Sequence, residues 1–285
     1  GSMSVAIGTD ALATQNFTTA TNSYNTGVGH NAGKSVTTGI QNTLIGGTAG
    51  DALIDADFNV AIGTDALGAD TYGSRSVAIG RRALYTQNFT TATDAYNTAV
   101  GFEAGNDMTT GINNTLIGGL AGDAITSAVG NSSLGYLSLS AETQGKASVA
   151  IGYEALKLQN TASDAFIFNT AVGYGSGAAV TTGVRNTFIG SLSGDSTTIG
   201  RYNTSLGYNT LSTNIDGDYS TALGYGALEM QESDSANQAV YNTAVGASAG
   251  ANLTSGIQNT FLGATSGAGV VTGDSNTAVG FAAGL

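Results

Sequence analysis

SVAIG at Ser76–Gly80, NTAVG at Asn97–Gly101 and NTLIG at Asn114–Gly118 are variants of one phrase, [S/N]-[T/V]-x-[I/V/L]-G. The phrase begins at Ser4, Asn25, Asn42, Asn59, Ser76, Asn97, Asn114, Asn131, Ser148, Asn169, Asn186, Asn203, Ser220, Asn242, Asn259 and Asn276, giving 16 copies, of which the one at Asn131 has Ser132 at the second position. The spacings run 21, 17, 17 and 17 residues three times over, then 22, 17 and 17. A 17-residue coil is therefore nested in a 72-residue unit, with units starting near residues 4, 76, 148 and 220. A short apolar phrase that ends in glycine reads as a strand meeting a tight turn. No segment sustains a helical period. The expected fold is all-β, a parallel β-solenoid of 16 coils forming one repeat domain over residues 4–285. Residues 1–3 read as a tag remnant.

Composition agrees with a solenoid and argues against other classes. Glycine supplies 43 of the 285 residues, and proline, cysteine and tryptophan are absent. Only 10% of residues are charged and 41% are hydrophobic, which disfavours a disordered chain. The net charge of −12 disfavours nucleic acid as a partner, because phosphate binding needs clustered lysine and arginine. No apolar run approaches the roughly 20 residues of a membrane helix, so no membrane insertion is expected.

The coil is numbered from its Asn or Ser as position 1. Position 4 is always aliphatic: Ile7, Val28, Ile45, Ile62, Ile79, Val100, Ile117, Leu134, Ile151, Val172, Ile189, Leu206, Leu223, Val245, Leu262 and Val279. This column is the expected structural core. Position 5 is glycine in all 16 coils, which implies a positive φ or a close backbone approach. Seven coils carry Leu at position 9 (Leu12, Leu67, Leu84, Leu139, Leu156, Leu211 and Leu228). Coils with Gly at position 9 mostly carry an apolar residue at position 12 instead, such as Val36, Leu53, Met108 and Ile125. The trade keeps the volume of a thin interior constant. Strand alternation puts positions 2 and 4 on one face and position 3, also largely apolar, on the other. A coil interior takes one row and leaves the other exposed, and a stripe of that size normally marks an interface. A parallel homo-oligomer buries it, like coil against like coil; a wider single-chain solenoid that buries both rows is the alternative. At roughly 4.8 Å per coil the stack amounts to a rod of about 75 Å. Asn or Ser at position 1 either forms ladders between coils or simply favours turns.

SVAIG at Ser4–Gly8, Ser76–Gly80 and Ser148–Gly152, followed three residues later by Ala, resembles the YadA-like head repeat of trimeric autotransporter adhesins. The NTAVG and NTxIG forms, with TTG before the next Asn, look more like the related repeats of bacteriophage tail fibres. The resemblance covers nearly all of residues 4–285. It implies a left-handed parallel β-roll, a homotrimer, and exposure on a virion tail fibre or cell surface. The chain departs from the adhesin pattern in coil length, the family repeat being about 14 residues.

No enzymatic activity, cofactor or metal is expected. The one histidine, His30, occupies a coil position filled elsewhere by Thr, Gly, Tyr, Phe and Arg. The Asp55/Asp57 and Asp216/Asp218 pairs are the sole candidates for two-carboxylate glycan cleavage, and they read as turn residues. Asp51, Asp123 and Asp195 recur every 72 residues, without the glycine–aspartate nonapeptide of calcium rolls. The binding candidates lie in the four long connections: Gln15, Asn16, Phe17 and Tyr24; Gln87, Asn88, Phe89 and Tyr96; Gln159, Asn160 and Phe168; and Tyr241. Their aromatics either stack on sugar rings or staple the connection to the coil edge.

The expected function is a structural and adhesive fibre segment, phage-tail-fibre-like, that presents a surface for host attachment to a cell-surface glycan or protein receptor. A bacterial trimeric adhesin head is the alternative. Ice binding is the alternative of another class, since position 2 is Thr in many coils. It ranks behind because position 2 shares a face with position 4, and an inward position 4 buries both.

Overall fold

The computed structural model describes residues 3–284. Gly1 and Ser2, part of the tag remnant read from the sequence, and Leu285 lie outside the described residues. The chain divides into two compact units, residues 1–144 and 145–285. The first carries eight coil strands: Val5–Ile7, Thr26–Val28, Thr43–Ile45, Val60–Ile62, Val77–Ile79, Thr98–Val100, Thr115–Ile117 and Ser132–Leu134. The second carries eight more: Val149–Ile151, Thr170–Val172, Thr187–Ile189, Thr204–Leu206, Thr221–Leu223, Thr243–Val245, Thr260–Leu262 and Thr277–Val279. Pairing is parallel and position for position. Thr43 lies against Val60, Leu44 against Ala61 and Ile45 against Ile62, and the second unit repeats the pattern. Each unit is a parallel β-solenoid of eight turns, and no helix occurs among the described residues.

Glycine at position 5 ends each strand after three residues. In all sixteen coils its φ lies between +122° and +146°. A Cβ on Gly29 would stand 2.4 Å from the Gly46 carbonyl oxygen of the next coil, so conformation and close stacking both require glycine. Position 9 is also left-handed, whether it is Gly33 (φ 60°) or Leu84 (φ 50°). A left-handed leucine costs about 1–2 kcal/mol. Leu84 is fully buried, and burial worth about 1.5–3 kcal/mol offsets that strain.

The interior corrects the sequence reading. Position 3 fills the coil: Leu44, Ala61, Ala78, Leu116, Phe188 and Phe261 are all fully buried. The position-4 residues Ile7, Val28, Ile45, Ile62, Ile79, Val100, Ile117, Leu134, Ile151, Val172, Ile189, Leu206, Leu223, Val245, Leu262 and Val279 are not the core of the chain. None of them is buried, and Leu134, Leu206 and Leu262 are exposed. They point outward together with position 2. Alternation correctly separated the two rows but does not say which of them faces in. Volume does. Every coil with Leu at position 9 has Ala or Ser at position 3, whereas Leu44, Leu116, Phe188 and Phe261 all sit in coils with Gly at position 9. A Cβ on Gly194 would lie 2.6 Å from the Phe188 ring, which occupies that space.

Position 1 forms a ladder. Asn25 Oδ1 accepts the backbone N–H of Asn42 (2.9 Å), and Asn42 Oδ1 accepts that of Asn59 (3.0 Å). The amide Nδ2 donates to a backbone carbonyl 14 residues on, as from Asn42 to Ala56 (2.7 Å) and from Asn59 to Gly73 (2.9 Å). The second unit repeats this from Asn169 through Asn186 and Asn203 to Ser220, and from Asn242 to Asn276. These amides are buried, so each unmade bond exposes its partner's desolvation cost. Asn186→Ala removes the bond to Gly200 O (2.8 Å) and the acceptor for Asn203 N–H (2.9 Å). We expect it to lower stability by about 2–4 kcal/mol in urea unfolding, with faster amide exchange at Asn203. An exposed control off the sheet face, Thr182→Ala, is expected to stay within about 0.5 kcal/mol of the parent.

Candidate functional site: the outer sheet face and its flanking columns

The long connections separate into an inward and an outward part. Gln87 and Gln159 are buried, and Gln15 is half-buried. Each of these glutamines sits 11 residues after a position-1 serine and repairs the ladder there. Serine is too short to supply the amide that asparagine supplies. Gln87 Nε2 donates to Ser76 Oγ (3.2 Å), while Gln87 Oε1 accepts from Asn97 Nδ2 (2.9 Å). Gln15 bridges Ser4 and Asn25, and Gln159 bridges Ser148 and Asn169. Gln231, which the sequence reading did not single out, bridges Ser220 and Asn242. These glutamines are structural, not ligand-facing. The signal was present in the sequence as Ser followed 11 residues later by Gln in all four units.

Phe89 is also turned inward, its N–H donating to the buried Asp70 (3.1 Å), and Phe17 is half-buried. Asn16, Asn88 and Asn160 are exposed. Their backbone N–H groups tie the connection to the next coil, at Thr37, Thr109 and Thr181.

Tyr24, Tyr96, Phe168 and Tyr241 face solvent, and they belong to more than the long connections. They occupy the residue just before position 1, which is left-handed in every coil from Met3 to Ser275. Short coils place Phe58, Arg75, Arg185, Tyr202 and Tyr219 in the same column. In the first unit the Arg75 guanidinium lies 4.7 Å from the Phe58 ring and 5.8 Å from that of Tyr96. In the second unit Tyr202 stacks on Tyr219 at 4.8 Å and Tyr219 on Tyr241 at 5.1 Å. Arg185 covers Tyr202 at 5.4 Å and donates to its hydroxyl (2.8 Å). Sequence reading saw only the column members that end long connections. A second column, one residue after the glycine, holds Phe102, Tyr153, Tyr174, Tyr208 and Tyr225. Its pairs Tyr153–Tyr174 and Tyr208–Tyr225 stack at 5.2 and 5.7 Å.

Between these columns run the outward strand residues, threonine, valine or (at Ser132) serine at position 2 and aliphatics at position 4. His30 is exposed. The candidate acids are engaged between coils. Asp57 accepts the Ile40 N–H (2.8 Å) and Asp55 the Thr38 hydroxyl (2.7 Å). Asp216 accepts from the Ser233 hydroxyl, and buried Asp218 takes two bonds from the Arg201 guanidinium (2.8 and 3.1 Å). Among the described residues no three His, Asp or Glu side chains are grouped to hold a metal. No family model, curated protein or solved structure matches the chain.

The periodic aspartates are half-buried, and burial pushes Asp51 and Asp195 above the ordinary carboxylate range. Asp123 is pushed up to about 6 by burial first, then by the neighbouring charges of Asp107 and Glu103. One of its carboxylate oxygens is buried without a hydrogen-bond partner. An acid whose pKa is raised by folding supports the fold while protonated and loses that support as pH rises through the folded value. Stability is therefore expected to fall between about pH 4 and 7, and Asp123→Asn to make that fall shallower. Thermal melts of both proteins across that range check this; parallel profiles refute it.

Proposed function

We propose that this chain is a structural and adhesive fibre segment that associates with copies of itself through the outward face of its sheet. The observation that supports this reading is the position-4 column, aliphatic in every coil and buried in none. The partner that matches a 17-residue period over many turns is the same period in register, a parallel copy. The resemblance to adhesin heads and phage tail fibres makes that assembly a homotrimer and the β-roll left-handed. It also makes the setting extracellular, on a virion fibre or a cell surface. The exposed aromatic columns and the tips of the long connections then form the surface offered to a host glycan or protein, where many weak contacts add up to avidity. Phage-tail-fibre-like host attachment is the leading form of this reading, and a bacterial adhesin head is its variant.

Ice binding gains from the same geometry. The threonines at position 2, such as Thr43, Thr115 and Thr260, stand on the outward face. The sequence-based ground for ranking it low therefore falls, and an in-register threonine and aliphatic array remains. Self-association and ice binding compete for this face.

Sedimentation equilibrium is expected to give a trimer mass, and a monomer overturns the proposal. Ile189→Asp places a charge on the outward face and is expected to dissociate the oligomer while leaving the solenoid circular dichroism intact. Phe188→Ala, one residue away and inward, is expected to cost about 3–5 kcal/mol of fold stability. Thermal hysteresis above that of an unrelated protein, from a chain that sediments as a monomer, moves the function to ice binding.

A further inference from the structure

We propose that the tyrosine columns of the second unit are sites of oxidative cross-linking, in which dityrosine bonds join successive turns. Three observations carry this. First, stacking brings the rings together: Tyr202–Tyr219 at 4.8 Å with planes 2° apart, Tyr219–Tyr241 at 5.1 Å, and Tyr153–Tyr174 at 5.2 Å with planes 7° apart. Second, every one of these rings is open to solvent, from 37% exposed at Tyr202 to 58% at Tyr174. Third, the chain holds 12 tyrosines and neither cysteine nor tryptophan. The two side chains that ordinarily compete with tyrosine for a one-electron oxidant are missing, so one-electron oxidation falls on tyrosine, and the stacked pairs are where two radicals meet.

The chemistry balances with a peroxide as oxidant and a peroxidase to deliver it. Two phenols each give up one electron and one proton, and hydrogen peroxide takes up both pairs and becomes two waters. The two tyrosyl radicals pair their electrons in a carbon–carbon bond between ring carbons ortho to the oxygens. The two hydrogens on those carbons then move to the oxygens and restore both phenols. Parallel strand register holds the partner ring one strand spacing away, so no diffusion step precedes coupling. Exposed side chains reach the coupling geometry by rotation about χ1 and χ2 alone. The product is a covalent strap from one turn to the next, parallel to the hydrogen bonds of the sheet.

The test uses the full chain with horseradish peroxidase and hydrogen peroxide, an equal mixture of 14N- and 15N-labelled protein, and peptide mass spectrometry. The expected result is same-isotope linked peptides Tyr202–Tyr219, Tyr219–Tyr241 and Tyr153–Tyr174, each short of two hydrogens, with dityrosine fluorescence. Tyr219→Phe keeps a ring in the stack and is expected to abolish both links through residue 219 while leaving Tyr153–Tyr174 unchanged. No dityrosine, links of mixed isotope only, or same-isotope links between tyrosines that are not stacked each overturn the proposal.

Discussion

The structure depends on one buried group, the position-1 carboxamide. Its oxygen takes the backbone N–H of the following asparagine, and its nitrogen reaches a carbonyl near the end of its own coil. One side chain therefore fixes both the distance to the next turn and the path of the present one. A three-residue strand contributes few ladder bonds, far fewer than the five or six residues of an average strand allow. The asparagine supplies the missing register. It also explains the 72-residue superperiod. Where serine replaces asparagine the carboxamide must come from elsewhere, and it comes from Gln15, Gln87, Gln159 or Gln231 at position 12 of the same coil.

That substitution reaches into the core. Position 12 is apolar in most coils with glycine at position 9. In coils with leucine at position 9 it is polar: the four glutamines, or Asp70, Glu142 and Asn214. Leucine at position 9 fills the volume, and position 12 is released for hydrogen bonding. Asp70 shows what this costs. It is fully buried without a cation, and burial raises its pKa although Gln87, Phe89 and Gly73 all donate to it. Thr197 marks the opposite exception, a polar residue at position 12 beneath Gly194, and its buried hydroxyl has no partner. The four glutamines at position 12 thus follow from ladder repair.

Much of this was legible in the sequence. The phrase ending in glycine gave the coil, its period and its parallel stacking, because only glycine fits between stacked turns. Which row faced inward was not legible from alternation, since Leu44 and Ile45 are both good core residues. It was legible from covariation of volume between positions 3 and 9, a signal that needs the coil closed in three dimensions before it has meaning. The candidate site divided the same way. Tyr24, Tyr96, Phe168 and Tyr241 stand outward as solvent-facing aromatics. Gln87 and Gln159 do not, because polarity alone cannot tell a ligand-binding amide from one that completes a buried ladder. Tyr202 and Tyr219 end regular 17-residue coils, so no irregular connection marks the column they share with Tyr241.

The two apolar rows now separate as physical problems. The inner positions vary together: a phenylalanine at position 3 is matched by glycine at position 9, and a leucine at position 9 by alanine or serine at position 3. The position-4 column does not join in that exchange. It is aliphatic beside Phe188 and beside Ser205 alike, so coil packing does not set it. A solvated sheet face is expected to alternate polar residues outward, and position 2 partly obeys this with threonine while position 4 never does. A column that is constant where the interior varies, and apolar where water should meet it, is the ground for the proposed association with a second copy, whose period is already the same.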